Sequence, residues 1–329
     1  MTVALGFALA AGLFLAGWLG AAAGLGALVG VAVPYAAATV FVVGLVYRVA
    51  RWTAVPVPFR IPTTCGQQRS LSWIRAQPIE NPPSALAAAG RVALEVLCFR
   101  SLLRNTRTEV TATRRVIYTT SLWLWLGALV MHWTMLVVVL RHLRLVMEPV
   151  PGFVTAIEHV DGFLEIGMPV VYVTSLAFVA ALGFLLVRRL TAPMVHYLSL
   201  VGDYFPLFLL LGLALSGLWM RHVAPTDVAG VKAFLLGLTH LAPAVPAGIT
   251  PVFFGHLMLV SALLAYFPFS KLLHMPGIFL SPTRNLANTS RAVHHVNPWD
   301  YPVAVHTYAE YEDELREKMI GAGLPVERS

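Results

Sequence analysis

The feature that most constrains the fold of this chain is a series of uncharged apolar runs, each about long enough to cross a membrane. A helix of about 20 apolar residues spans a hydrocarbon core about 30 Å thick. The runs lie at 3–22, 28–47, 116–140, 168–187, 204–220 and 250–267. Only 12% of the 329 residues are charged and the mean hydropathy is +0.74, which excludes an ordinary soluble domain. The sequence therefore predicts an integral membrane protein.

The runs favour helices over a membrane barrel, because they are continuous and lack the alternating pattern of barrel strands. The predicted fold class is all-α, a polytopic transmembrane helix bundle with a cytoplasmic loop and a C-terminal tail. Residues 1–47 contain no charged side chain, so Gly24-Leu25-Gly26 is either a hairpin turn or part of one long segment. We expect six spans, with five as the alternative.

The basic residues are distributed unevenly along the chain. Nineteen of the 23 Lys and Arg residues fall at 48–115, at 188–189 or after residue 267; the other four are Arg141, Arg144, Arg221 and Lys232. Because short loops rich in Lys and Arg stay in the cytoplasm, we expect 51–115 and the C-terminus on the cytoplasmic side of the inner membrane. Attraction to anionic membrane lipids explains the excess of Lys and Arg over Asp and Glu, so no nucleic-acid partner is expected.

Four parts follow from this layout: a membrane hairpin at 1–50, a cytoplasmic docking segment at 51–115, a four-helix membrane core at 116–275 and a cytoplasmic tail at 276–329. The docking segment has a helical pattern from 85 to 103, and the tail has an amphipathic one from 307 to 320. The docking segment also holds two cysteines, Cys65 and Cys98, which are too few and too far apart for a zinc or iron–sulfur site.

Four histidines lie within or at the ends of two predicted spans. His132 and His142 belong to the third span, and His256 and His274 to the sixth or its end. Ionisable residues are costly in a membrane and usually functional there. Neutral imidazoles on facing helices can bind haem iron from both sides. The pattern predicts two haem b groups, with these four histidines as iron ligands.

Antiparallel pairing of the two spans would join His132 with His274 near the cytoplasmic side and His142 with His256 near the outer side. The alternative for any single one is a buried imidazole hydrogen-bonded to a carbonyl. Three arginines, Arg141, Arg144 and Arg221, have two readings, as ligands of haem propionates or as side chains that reach the membrane rim.

Paired histidines ten apart on one span and eighteen apart on a later one resemble the haem-b gamma subunit of respiratory nitrate reductase. Six further motifs are similar to the DsrM family, the M subunit of the DsrMKJOP membrane complex linked to dissimilatory sulfite reductase. They are PFRIPTTCGQQ at 58–68, FRSL at 99–102, RHLR at 141–144, AYFPFSKL at 265–272, LSPTRNLAN at 280–288 and NPWDYPV at 297–303. This second resemblance extends from about residue 40 to the end.

The resemblance implies a cytochrome b subunit that exchanges electrons between menaquinone, or another quinone, and a cytoplasmic iron–sulfur DsrK-like subunit. It also implies DsrJ-, DsrO- and DsrP-like subunits and, indirectly, a DsrC-like sulfur carrier. The nitrate reductase subunit uses a Lys for quinol in the outer loop after its second haem-ligand span, and this chain has none there. The candidates in its place are Glu158, His159, Asp161 and Glu165, with plain solvated side chains as the alternative.

Other readings stay open. The chain could be the haem-b subunit of another respiratory quinol oxidoreductase, such as one of the nitrate reductase type. An ion-coupled transporter would also carry ionisable groups in the membrane, but inverted repeats with paired broken helices would be expected. A haem-free anchor would not need four histidines in the membrane.

Overall fold

The computed structural model describes residues 1–55, 69, 72–73, 75–104, 106–110, 113–167, 169–245, 248–281, 284–288 and 305–327. Its helices are α1 (Thr2–Ala22), α2 (Val33–Thr53), α3 (Ala85–Cys98), α4 (Arg100–Leu103), α5 (Leu122–His142), α6 (Gly152–Asp161), α7 (Val173–Thr191), α8 (Pro193–Leu198), α9 (Val201–His222), α10 (Val228–Thr239), α11 (Pro251–Tyr266), α12 (Met275–Phe279) and α13 (Tyr308–Gly321). A π-helical turn, Leu28–Ala32, leads into α2, and 3₁₀ turns follow α5 and α11. The motifs at 58–68, which includes Cys65, and at 297–303 lie outside the described residues.

Within the described residues, six helical segments are long and apolar enough to cross a membrane, which confirms the predicted polytopic bundle. They are Thr2–Ala22, Leu28–Thr53, Leu122–Leu145, Val173–Thr191, Val201–His222 and Pro251–Phe269. The chain is a multi-pass membrane protein.

The turn between the first two spans is built around Gly24. Its backbone φ is +83°, a conformation that glycine adopts without strain. The N–H of Gly24 donates to the carbonyl of Ala21 at 3.0 Å, and that of Leu25 to the carbonyl of Gly20 at 2.9 Å. These bonds satisfy carbonyls at the end of α1. The apolar start of the chain is therefore two helices, which gives six spans and not five.

A short antiparallel hairpin is the one departure from the all-helical prediction in the described residues. Strand β1 (Thr106–Val110) pairs with β2 (Val116–Thr120), with Thr106 opposite Thr120. The third span was expected to start at residue 116, but α5 begins only at Leu122. The reason is local, because residues 116–120 are all β-branched or aromatic and favour a strand.

Helix α11 lies at the centre of one half of the bundle, in contact with α1, α2 and α9. Two glycines allow α1 to approach it closely. A Cβ atom on Gly17 would lie 2.5 Å from the carbonyl oxygen of Phe254, and one on Gly255 would lie 2.7 Å from the ring of Phe14. Small residues of this kind let membrane helices pack backbone to backbone.

Helix α5 belongs to the other half, where it packs mainly against α7, and α7 in turn packs against α9. The two helices that bear the paired histidines, α5 and α11, make few close backbone approaches to each other in the described residues. Side chains of both helices, such as Met131 and Leu263, pack against the buried cluster of Phe178, Leu182 and Leu210. We call the end of the bundle next to α3 and the hairpin the basic end, and the end next to α6 the loop end.

Candidate functional site

The structure places the four histidines in two pairs, one toward each end of the bundle. At the basic end, the ring centroids of His132 and His274 are 5.8 Å apart, with ring planes at 86°. At the loop end, His142 on α5 and His256 on α11 are close enough to interact electrostatically. His274 itself lies just before α12, in the turn that follows the 3₁₀ extension of α11.

Each of the four imidazoles has its Nδ1 atom engaged with an oxygen. His132 Nδ1 lies 2.8 Å from the carbonyl oxygen of Ala128, and His142 Nδ1 lies 2.7 Å from that of Val138. The corresponding bond of His274 is to the carbonyl of Lys271, at 3.2 Å. A carbonyl only accepts hydrogen bonds, so in these three rings Nδ1 carries the proton and Nε2 has the free lone pair.

The fourth ring, His256, reaches the same state through a serine on a neighbouring helix. Its Nδ1 is 2.8 Å from Ser216 Oγ on α9. The single hydroxyl hydrogen of Ser216 is used in a bond to the carbonyl of Gly212, at 2.6 Å. Ser216 Oγ therefore accepts from His256 Nδ1, which again leaves Nε2 as the basic nitrogen. Ligating histidines usually hold their second nitrogen in this way.

His240, at the end of α10, shows that this bond alone does not mark a ligand. Its Nδ1 also bonds to the carbonyl four residues earlier, that of Leu236, at 2.7 Å. What distinguishes the four histidines of the bundle is that each also faces a second imidazole. In the described residues there is no group of three or more His, Cys, Asp or Glu side chains that could bind a metal ion. Pairs of imidazoles suit a metal whose other ligands come from a macrocycle.

The surroundings of His132 contain residues that sequence reasoning missed. The ring of Phe99 lies edge-on to His132 with centroids 4.9 Å apart. Phe99 has a left-handed backbone, φ 51°, at the break between α3 and α4. Two indoles of α5 hold that break in place: Trp125 Nε1 donates to the carbonyl of Cys98 at 2.7 Å, and Trp133 Nε1 donates to that of Leu97 at 3.1 Å. The FRSL motif at 99–102 was the available signal.

Charged residues at the loop end form a buried cluster around Arg141. Its Nε is 3.2 Å from Asp161 Oδ2, and its Nη2 donates to Ser175 Oγ at 2.9 Å. Asp161 also accepts from the backbone N–H of Thr174 at 2.8 Å and from its hydroxyl at 2.6 Å. Asp161 therefore binds the start of α7 as well as α5. Both Arg141 and Asp161 are buried.

Tyr172 lies between two guanidinium groups of this cluster. The Arg141 guanidinium carbon is 3.9 Å from the centroid of the Tyr172 ring, and that of Arg221 is 4.3 Å from it. Arg221 donates from Nε and Nη2 to the carbonyl of Val170, at 3.1 and 2.9 Å. It forms no ion pair with an acid in the part of the chain that the structure describes. Among the described residues, no acid therefore offsets the positive guanidinium of Arg221 at the loop end.

The remaining loop-end candidates are more open to solvent. Arg144 donates to Glu158 Oε1 at 2.7 Å, in a pair that is about half exposed on the Arg side. His159 and Glu165 are exposed. Helix α6, which carries Glu158 and His159, exposes apolar side chains such as Phe153 and Val160, as expected for a helix at the membrane interface.

The fold and these histidine pairs define a polytopic membrane protein with imidazoles facing each other in two pairs across its helices. Residues 91–293 match the family described as nitrate reductase gamma subunit, and the chain belongs to this family. It is also similar to the "Hdr-like menaquinol oxidoreductase cytochrome b-like subunit" of Archaeoglobus fulgidus, with 43% identity over 275 residues, 82% of each chain. The subunit of the same name from Archaeoglobus profundus is 38% identical over 275 residues, 82% of this chain and 81% of the relative.

Proposed function

We propose that this protein is a cytochrome b subunit with two haem b groups, which exchanges electrons between a membrane quinone, here menaquinone, and a redox partner at the basic end. The names of the two relatives support the menaquinol and cytochrome b parts of this proposal. The observation that carries it is the common state of the four histidines. In all four rings the Nδ1–H is held by an oxygen, which leaves Nε2 as the basic nitrogen, and the four rings lie in two pairs.

His132 and His274 would bind one haem and His142 and His256 the other. The ring centroids of His132 and His274 are 5.8 Å apart, so these two imidazoles lie close enough together to hold one shared haem. Haem iron supplies reversible one-electron transfer when bound.

Three arginines at the loop end are the candidate partners of haem propionates. Arg141 and Arg144 already pair with Asp161 and Glu158, so a propionate would have to share them. Arg221 has no acidic partner among the described residues and is the best of the three. Arginine binds carboxylates strongly because its planar donors match both oxygens.

We place quinone oxidation or reduction at the loop end, near His142 and the segment 148–167. The candidates for binding the quinone head group and exchanging protons are the acids and the imidazole of this segment: Glu158, His159, Asp161 and Glu165. The exposed pair, His159 and Glu165, can exchange protons with solvent. Asp161 is held by Arg141 and Thr174, so its part would be to position Arg141.

At the basic end we propose a cytoplasmic iron–sulfur subunit of the DsrK type as the redox partner, within a complex that also holds DsrJ-, DsrO- and DsrP-like subunits. The chain would lie in the inner membrane with its C-terminus in the cytoplasm, and it would serve sulfur metabolism through a DsrC-like carrier. The motifs quoted above and the excess of basic residues support this assignment. The "Hdr-like" relatives support a multi-subunit complex. They cover 82% of the chain, and this favours such a complex over a nitrate reductase.

The test is haem content and spectrum of the purified protein and of single-histidine variants. The parent should hold two b haems per chain, and His132→Ala, His274→Ala, His142→Ala and His256→Ala should each hold one. His240→Ala is the matched control, because its Nδ1 makes the same kind of bond but no second imidazole of the described residues faces it. Its haem content should stay at two. Two haems in all four bundle variants would show that the ligands are assigned wrongly, and a haem-free parent would favour an anchor or a transporter.

A further inference from the structure

Helix α3 has an inverted distribution of polar and apolar side chains. Its buried face carries Arg91 and Glu95. Its exposed face carries leucines: Leu86 is 85% exposed, Leu97 50% and Leu94 37%. A helix on a water-facing surface normally has the opposite arrangement, with its charges outside. The exposed face of α3 therefore suits an apolar environment.

The charged side chains on the buried face have partners within the chain. Arg91 donates to the backbone carbonyl of Glu80. Glu95 accepts from the backbone N–H and the hydroxyl of Ser101, at 2.8 and 2.5 Å, and lies 4.0 Å from Arg284. Because these groups have partners on the protein side, the leucine face is free to contact something else.

The tryptophan bonds fix the level of the end of α3 along the spanning helix α5. Trp125 and Trp133 are the fourth and twelfth residues of the spanning helix α5, so they lie about 5 and 16 Å from its start. Their indoles donate to the carbonyls of Cys98 and Leu97, respectively. The C-terminus of α3 thus lies between these two levels of α5. Half of a hydrocarbon core is about 15 Å deep.

Three of the last four carbonyls of α3 accept hydrogen bonds from protein donors. The last carbonyls of a helix lack intrahelical partners and usually bind water. Here the two indoles satisfy the carbonyls of Leu97 and Cys98, and the N–H of Phe99 returns to the carbonyl of Glu95. Internal satisfaction of this kind is required where water is absent, as in hydrocarbon.

We propose that the C-terminal half of α3 is embedded in the lipid leaflet at the basic end, with Leu94 and Leu97 against acyl chains. The predicted docking segment 51–115 then includes a membrane-embedded helix beside His132. Phe99, the residue that follows this helix, contacts the His132 ring. Acyl chains are the expected contact of the leucine face, because the end of α3 lies beside the spanning helix α5 and its carbonyls are bonded to protein donors. This inference rests on the observed contacts and does not require the haems.

Spin-label accessibility of the full chain in lipid nanodiscs tests this directly. After Cys65→Ser and Cys98→Ser, a nitroxide is attached at Leu97→Cys. Val43→Cys, exposed on the spanning segment Leu28–Thr53, serves as the lipid reference, and Glu317→Cys, exposed on the polar helix α13, as the water reference.

The expected result is that the label at residue 97 collides readily with oxygen and poorly with a water-soluble nickel chelate, as at residue 43. Nickel accessibility equal to that at residue 317 would place α3 in water and overturn the proposal. Protection from both reagents would show a protein cover instead of lipid and would overturn it too. A label on native Cys98, after Cys65→Ser alone, repeats the measurement with Leu97 intact and should give the lipid pattern.

Discussion

Removing the charge of Asp161 should destabilise the protein far more than removing that of Glu158, although both acids pair with arginines of the same segment. Asp161→Asn keeps an oxygen that can accept from the backbone N–H of Thr174, so the start of α7 retains its bond. What it removes is the negative charge 3.2 Å from Arg141 Nε. The Asp161 side chain is only 3% exposed and that of Arg141 9%.

The size of the effect follows from this burial. Two unit charges 3.2 Å apart interact by about 5 kcal/mol at an effective dielectric constant of about 20. Breaking one side of a buried pair typically costs about 3–5 kcal/mol. Arg141 keeps Ser175 and the Tyr172 ring, so we expect about 3 kcal/mol, near the lower bound.

Glu158→Gln is the matched control. Arg144, its partner, is 46% exposed, and solvent screening limits such a pair to below about 1 kcal/mol. Thermal unfolding in detergent, followed by the fluorescence of the eight tryptophans, measures the difference. At about 2 °C per kcal/mol, the Asp161 variant should lose about 6 °C and the Glu158 variant less than about 2 °C.

A double variant separates charge from shape. Arg141→Met together with Asp161→Asn removes both charges, so no unpaired charge is left buried. Most of the lost stability should therefore return. The reasoning fails if Asp161→Asn costs no more than Glu158→Gln, or if the double variant is as unstable as the Asp161 single variant.

Three further predictions concern haem tuning, pH and the membrane potential. Ser216→Ala removes the acceptor of His256 Nδ1, so a redox titration should show one haem shifted in midpoint potential and the other unchanged; two unchanged haems would refute the role of Ser216. The pKa of Glu310 is lowered because its carboxylate accepts from the Thr307 backbone, so the cap stabilises α13 above the ordinary pKa of glutamate and is lost as pH falls through the lowered value. The protection factors of the 307–321 amides, which are exchange rates corrected for the intrinsic effect of pH, should fall on acidification, and Glu310→Gln should remove that pH dependence. Moving one charge across the membrane costs about 2.3 kcal/mol per 100 mV. In proteoliposomes, quinol oxidation should therefore speed up when an ionophore collapses the potential, and protons should be released at the loop end. An unchanged rate with protons released at the basic end would place the quinone near His132.

The approximate positions of the spans could be predicted from the sequence because hydropathy is a local property. A run of about 20 apolar residues must cross the bilayer whatever its neighbours do, and each of the six runs overlaps one spanning helix of the described residues. The hairpin turn at Gly24 stayed undecided, since no charge marks it, and the backbone settled it. The start of α5 was placed six residues too early because hydropathy does not distinguish an apolar strand from a helix.

The histidines could be selected from the sequence as rare ionisable residues in apolar runs, but the partners that come from distant segments, such as Ser216 for His256, could not. Ser216 is 40 residues from His256, and Ser175 is 34 residues from Arg141. Only the packing of α9 beside α11, and of α7 beside α5, brings these pairs within hydrogen-bond distance. The sequence by itself determined which segments enter the membrane, since that depends on the transfer free energy of each segment alone. The tertiary structure decided which imidazoles face each other, which charges are neutralised and which helix ends are capped, because those depend on lateral contacts between distant segments.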